Sequence, residues 1–212
     1  QNNNICYGIL TVVDTLYNQY AFSNTFTIKG NIINKGAIIS NPSGYSFYLD
    51  IDGNITNQGI WRVSNTYISG TANHNIQQSA GMAFEGPVTL TDSIGDLNLN
   101  SDVRMISNVF DLGKTILRTN GYKLITKDEM VRNGWIISYD TIQLDNTYIE
   151  YLSFFGDYKL DGNILSQYAN IFNDNATIVD TLVDRYGWSN TIVVNGNITN
   201  KGFIGNNSGY VL

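Results

Sequence analysis

Short runs of alternating apolar and polar residues, broken at regular distances by glycine and asparagine, set the pattern of this chain. Phe26 and Ile28, Leu49 and Ile51, and Ile192 and Val194 each stand two apart shortly before a Gly-Asn pair. That spacing puts each pair on one face of a strand. Each is followed by a phrase of the form Gly-Asn-Ile-x-Asn-x-Gly, running from Gly30 to Gly36, Gly53 to Gly59 and Gly196 to Gly202, and Asp161-Gly162-Asn163-Ile164 is a degenerate copy. The phrase reads as corner, short strand, corner, because Gly and Asn tolerate the positive φ of a tight corner. The isoleucine between corners is expected to point inward and stack on its equivalent in the next coil, with aligned asparagines forming side-chain ladders.

Two neighbouring phrases open at Gly30 and Gly53, a period of 53 − 30 = 23 that suits one coil of a solenoid. At ~4.8 Å per coil, roughly nine coils would make a rod of about 45 Å. The middle of the chain follows the same grammar: Val88-Thr89-Leu90, Leu97-Asn98-Leu99 and Lys114–Arg118 alternate, and Thr119-Asn120-Gly121 and Arg132-Asn133-Gly134 read as turns. Residues 126–131 are the one place where a short helix protruding from a coil is expected. The fold class is therefore all-β, a parallel β-helix (β-solenoid) expected to be right-handed, with residues 1–212 forming a single solenoid.

A longer repeat overlays the first. Asp14–Ile38 aligns without gaps on Asp180–Ile204, an offset of 180 − 14 = 166, with 14 identities in 25 positions. A long unit of about 14–179 thus restarts over 180–212, and the expectation is that the chain samples a tandem array. Solenoid ends expose unpaired strands, so further copies of the chain or flanking chain are expected to cap them.

Composition narrows the function. Charged residues are only 14% of the chain, against about 25% in typical soluble domains. The net charge is −6 with no basic stripe, which argues against nucleic acid as a partner. No apolar run approaches the ~18 residues of a membrane-spanning helix, so no membrane insertion is expected. Cys6 is the single cysteine, which excludes an internal disulfide, and it is expected to be a small buried apolar group.

The string Ser69-Gly70-Thr71-Ala72-Asn73-His74-Asn75-Ile76, the Asn-Ile-Thr-Asn-x-Gly phrases, and Leu112–Leu117 through Asn120–Leu124 resemble the β-helical regions of large surface proteins of bacteria that use the type IX secretion system. The resemblance is one of repeat style over most of the chain, and it implies an extracellular or cell-surface location. Four Asp-(Ser/Thr)-aliphatic tripeptides look like the O-glycosylation acceptor motif of the same bacteria, making Thr15, Ser93, Thr141 and Thr181 candidate modification sites. No sorting domain of that secretion system is recognisable.

Candidate chemistry is sparse. His74 is the only histidine, and its polar surroundings read as an exposed loop rather than as part of a Ser-His-Asp or zinc arrangement. Asp50 and Asp52 share a strand face and, with Asn54, are the candidate calcium ligands; no other cofactor is expected. The same acid pair is the only one with a spacing that suits glycoside chemistry, and other repeat copies replace it with Thr27 and Lys29 or Val193 and Asn195. Trp61, Trp135 and Trp188 are candidates for stacking on sugar rings. The reading is a non-catalytic structural or adhesive segment that projects or displays and contacts extracellular glycans. The alternative is a carbohydrate-binding module or a polysaccharide-degrading lyase or glycosidase.

Overall fold

The computed structural model describes residues 4–19, 22–41, 44–91, 94–106, 109–184 and 191–206. Every regular element among them is a strand, and every pairing between strands is parallel. The chain winds as a β-solenoid whose coils each cross three faces. On the first face the register runs Asn4, Phe26, Leu49, Thr66, Val88, Phe110, Val131, Ile149, Ser166, Asp184 and Asn206. The step from Phe26 to Leu49 is the period read from the sequence. Later steps, such as Val131 to Ile149 and Ile149 to Ser166, are shorter. These crossings enclose ten coils, in line with the roughly nine expected once the shorter ones are allowed for.

Alternation explains the core. Inward columns stack Ile28, Ile51, Ile68 and Leu90 on the first face and Ile32, Ile55, Ile76 and Leu99 on the second. On the third face Ile38, Trp61, Phe84 and Met105 stack. All twelve are essentially inaccessible, so each side chain contributes about 1.5–3 kcal/mol of burial against its exposed state. Strands buried on the inside and hydrogen-bonded on both edges give the chain its cohesion along the axis.

The recurring glycines stand where coils meet backbone to backbone. A Cβ on Gly53 would collide with the carbonyl of Gly30, and one on Gly59 with the carbonyl of Gly36. The asparagines form the expected ladders: Asn34 Nδ2 donates to Asn57 Oδ1 at 2.9 Å, and Asn54 Oδ1 accepts from Asn75 N at 2.8 Å and Nδ2 at 2.9 Å.

Three expectations are corrected. Residues 126–131 form no helix: strand Leu124–Lys127 runs into a corner at Asp128, with φ 53°, and strand Met130–Ile137 follows. The charged Lys-Asp-Glu string is that corner, pinned by Asn146 Nδ2 donating to Asp128 Oδ1 at 2.7 Å. His74 is not an exposed loop residue; it begins strand His74–Gln78, is 2% exposed, and its Nδ1 lies 3.0 Å from the carbonyl of Gly53. That contact places the proton on Nδ1 and leaves Nε2 without a partner. Cys6 is half-buried against the core rather than enclosed by it, because among the described residues the first coil is covered on one side only.

The two copies of the long repeat lie on different faces. Phe26, Ile32 and Ile38 stand on the first, second and third face. Their counterparts Ile192, Ile198 and Ile204 pair with Asn170, Ala176 and Leu182, which lie on the second, third and first. The offset between the two copies is therefore eight coils and one face.

Candidate functional site

The outward surface of the second face changes character along the rod. In the early coils it is mostly polar, carrying Thr56, Asn75, Gln77 and Asn98, with Ile33 beside Thr56 as an apolar exception. From the sixth coil on, one outward column runs Ile116, Trp135, Ser153, Ile171 and Val193, and the neighbouring column runs Arg118, Ile137 and Phe155 before it passes to Asn173 and Asn195. Trp135 is 39% exposed at its centre. Parallel strands hold these residues in register, so Ile116, Trp135, Ile137, Phe155, Ile171 and Val193 form a mainly apolar strip, interrupted by Ser153 and bordered by Arg118.

Tyrosines mark both edges of the strip. At the corner between the first and second faces, Asn133, Tyr151 and Tyr168 follow one another across successive coils in the left-handed region, with φ 61°, 50° and 54°. Asparagine suits that conformation, whereas a tyrosine there costs about 1 kcal/mol or more. The two rings stack at 5.1 Å with an interplanar angle of 7°, and both are about half exposed. The left-handed conformation itself belongs to the corners of this fold, recurring at Lys114, Asn120, Asp128, Asn146 and Asp174, and here it turns two aromatic rings into solvent.

At the opposite corner, between the second and third faces, lies a cleft of about 500 Å³ lined by Tyr139, Gly156, Asp157, Asp174, Asn175, Asn195, Gly196 and Asn197. Its floor is a hydrogen-bonded lattice. Gly156 N donates to Asp174 Oδ2 at 2.9 Å, Asn175 Nδ2 to Asp157 Oδ1 at 2.6 Å, and Asn197 Nδ2 to Asn175 Oδ1 at 2.9 Å. Tyr139, 71% exposed, stands over Gly156, so that a Cβ there would come within 3.0 Å of its ring. Beneath the cleft, Tyr158 is buried, and burial together with the nearby Asp174 charge pushes its phenol above the ordinary tyrosine range. Such an edge offers a ring face beside fixed amide and carboxylate groups, the combination that contacts a sugar through its apolar face and its hydroxyls.

The residues singled out in the sequence are dispersed. Trp135 belongs to the strip. Trp61, expected to stack on sugars, is instead a core residue: it is 1% exposed, donates from Nε1 to Thr66 Oγ1 at 2.9 Å, and meets Phe84 edge-on at 5.1 Å, so its ring face is closed to a sugar. Trp188 and Ser93 fall outside the described residues. Asp50, Asp52 and Asn54 do not converge as calcium ligands. Asp50 accepts from Ser69 Oγ at 2.5 Å and Asn54 Oδ1 is taken by Asn75, both in the fourth coil, whereas Asp52 pairs with Lys29 of the second coil at 3.6 Å. Thr15 is exposed, and its hydroxyl donates to Asp14 at 3.3 Å, whereas Thr141 and Thr181 are half-buried at the starts of strands. The aspartate of the motif has a backbone duty in both repeat copies, since Ala37 N donates to Asp14 O and Phe203 N to Asp180 O, each at 2.7 Å.

Sequence reasoning misses Tyr139, Tyr151 and Tyr168. The signal for the last two is their succession after Asn133 in steps of 151 − 133 = 18 and 168 − 151 = 17. Those steps become readable only once coils shorter than the Gly30-to-Gly53 period are known. No family model, curated protein or solved structure matches this chain.

Proposed function

We propose that the chain is a non-catalytic structural and adhesive segment of a secreted or cell-surface bacterial β-solenoid, and that the second face of its later coils is the surface that contacts glycans. The observation that carries this reading is the apolar strip centred on Trp135, bordered by the stacked Tyr151–Tyr168 pair and by the Tyr139 cleft. Stacked coils hold these groups at fixed spacing, so a bound polysaccharide meets a preformed surface and little ordering cost is added on binding. Each aromatic contact contributes about 0.5–1.5 kcal/mol. Two or three together support affinities in the range usual for adhesive contacts made in many copies.

Asp157 and Asp174 both line the cleft, which is the observation that favours a polysaccharide-degrading enzyme. One carboxylate oxygen of each is committed to the lattice, which suits holding sugar hydroxyls. The test is titration of the chain against neutral and acidic oligosaccharides by calorimetry, with product analysis on the same samples. Saturable binding that weakens about tenfold in Trp135→Ala, without products, is the expected result. No binding across the panel, or binding indifferent to Trp135, refutes the adhesive reading; products that vanish in Asp157→Asn establish the enzymatic one.

A further inference from the structure

The second coil and the last described coil share the phrase Gly-Asn-Ile-x-Asn-Lys-Gly, yet among the described residues the first is covered on both sides and the other on one. In the second coil Ile28, Ile32 and Ile38 pair with Ile51, Ile55 and Trp61 of the third coil and are fully buried. Asn34 is buried with them. Its Oδ1 accepts from Gly36 N at 3.2 Å, which fixes the amide, and its Nδ2 donates into the third coil, to Asn57 Oδ1 at 2.9 Å and Ile60 O at 2.8 Å.

In the last coil the inner half of this arrangement is already made, since Gly202 N donates to Asn200 Oδ1 at 3.1 Å. The outer half is missing. Asn200 is exposed, and no donor bond from its Nδ2 exists among the described residues. Val194, the counterpart of Ile28, is 41% exposed, and Ile198 and Ile204 are half-buried. The side chains, the fixing hydrogen bond and the strand edge that receive the third coil are all repeated, one face further round.

We infer that the edge of residues 192–204, unpaired among the described residues, is a docking edge for one further parallel solenoid coil of the third coil's chemistry, with inward residues in the order Leu49, Ile51, Ile55, Asn57 and Trp61. An unpaired parallel edge recruits a strand in any case; the asparagine makes the choice specific, because Asn200 Nδ2 needs an amide oxygen opposite it. A second copy arriving by its own first coil in the matching rotation presents Val12 at that place, whose side chain has no acceptor. The docked coil inherits the shift of one face. A run of such units therefore carries the Trp135 strip one face further round with each unit and presents it on all three sides after three.

The test extends the chain after Leu212 with a second copy of Tyr48–Thr91, checks by light scattering that the product is monomeric, and follows amide hydrogen exchange. Exchange across 192–204 is expected to slow about 100-fold or more, toward the rates of 26–38, while that of 109–137 stays unchanged as an internal control of folding. Asn57→Val in the appended segment is expected to return about tenfold of that protection. Unchanged exchange at 192–204 overturns the inference. So does full protection with the valine variant, which would mean unspecific edge pairing, and so does concentration-dependent protection of the unextended chain, which would make a second copy the occupant. None of these readouts involves a glycan, so failure here leaves the adhesive reading standing, and the reverse.

Discussion

Asn34 and Asn200 are the same residue of the same phrase in two environments, and replacing each with alanine separates sequence from burial. Asn34→Ala removes three hydrogen bonds in a fully buried place: from Gly36 N, to Asn57 Oδ1 and to Ile60 O. Gly36 N keeps a second acceptor in Val12 O, and Asn57 Oδ1 keeps the Gly59 amide, so neither is stranded. At about 1 kcal/mol per bond the loss is about 3 kcal/mol. Asn200→Ala removes one bond, from Gly202 N, at an exposed site, and should cost no more than about 0.5 kcal/mol. For a chain of this size 1 kcal/mol corresponds to roughly 2–4 °C, so melting should fall by about 6–12 °C for the first variant and by under about 2 °C for the second. Because coils interact only with neighbours, hydrogen exchange should place the loss for Asn34→Ala in the second and third coils. Equal costs for the two variants, or a loss below about 1 kcal/mol for Asn34, would refute the argument that the buried amide ladder holds these coils.

Trp61→Ala should cost about 3–5 kcal/mol as a large buried truncation, whereas Trp135→Ala should cost under about 1 kcal/mol; urea denaturation of both decides it. Glu150, 8% exposed, has its carboxyl pushed above the ordinary value of 4.5 by burial, partly offset by Arg132 and reinforced by Asp111. A raised folded-state value for an acid means stability that is complete below pH 4.5 and is lost as pH rises through the raised value, so Glu150→Gln should exceed the parent in stability at pH 8 and converge with it at pH 4 in urea titrations. Gly59→Ala must displace the carbonyl of Gly36 and should cost more than about 2 kcal/mol, while Gly121→Ala, left-handed with open space around it, should cost about 1 kcal/mol by the same assay.

The architecture is legible in the sequence because its cause is local. Ile32, Ile55 and Ile198 sit between glycine and asparagine corners, and stacking coil on coil buries the first two fully and the third in part. The amide ladders follow from the same alignment. What the sequence conceals depends on register. Trp61 and Trp135 are alike in one dimension, yet the first falls on an inward position of the third face and the second on an outward position of the second. His74 reads as exposed because Asn73 and Asn75 flank it, although alternation alone turns it inward once Ile76 is known to be buried. Lys127-Asp128-Glu129 suggests a helix because such residues favour one in isolation; the inter-coil bond of Thr126 Oγ1 to Thr147 Oγ1 at 2.7 Å and the corner at Asp128 prevail. The tyrosine corner stays hidden because the coils that carry Tyr151 and Tyr168 are shorter than the frame set by Gly30 and Gly53.

The shift of the long repeat by one face shows which properties of the chain belong to a coil and which to a side. A phrase that buries Ile32 on the second face also forms the third face at Ile198, with Gly36 and Gly202 each bound by the oxygen of the asparagine two residues earlier. The fold thus treats the three faces as interchangeable, since each asks only for an inward apolar residue between two corners that admit close backbone approach. The strip at Trp135 is not interchangeable in this way: it needs Ile116, Trp135, Phe155 and the left-handed tyrosines aligned across consecutive coils. Cohesion is set by the inward half of every strand and display by the outward half, and period two keeps them on separate residues. Substitutions on the outward half of the sixth to tenth coils can therefore alter what the rod contacts while leaving the stack that carries it unchanged.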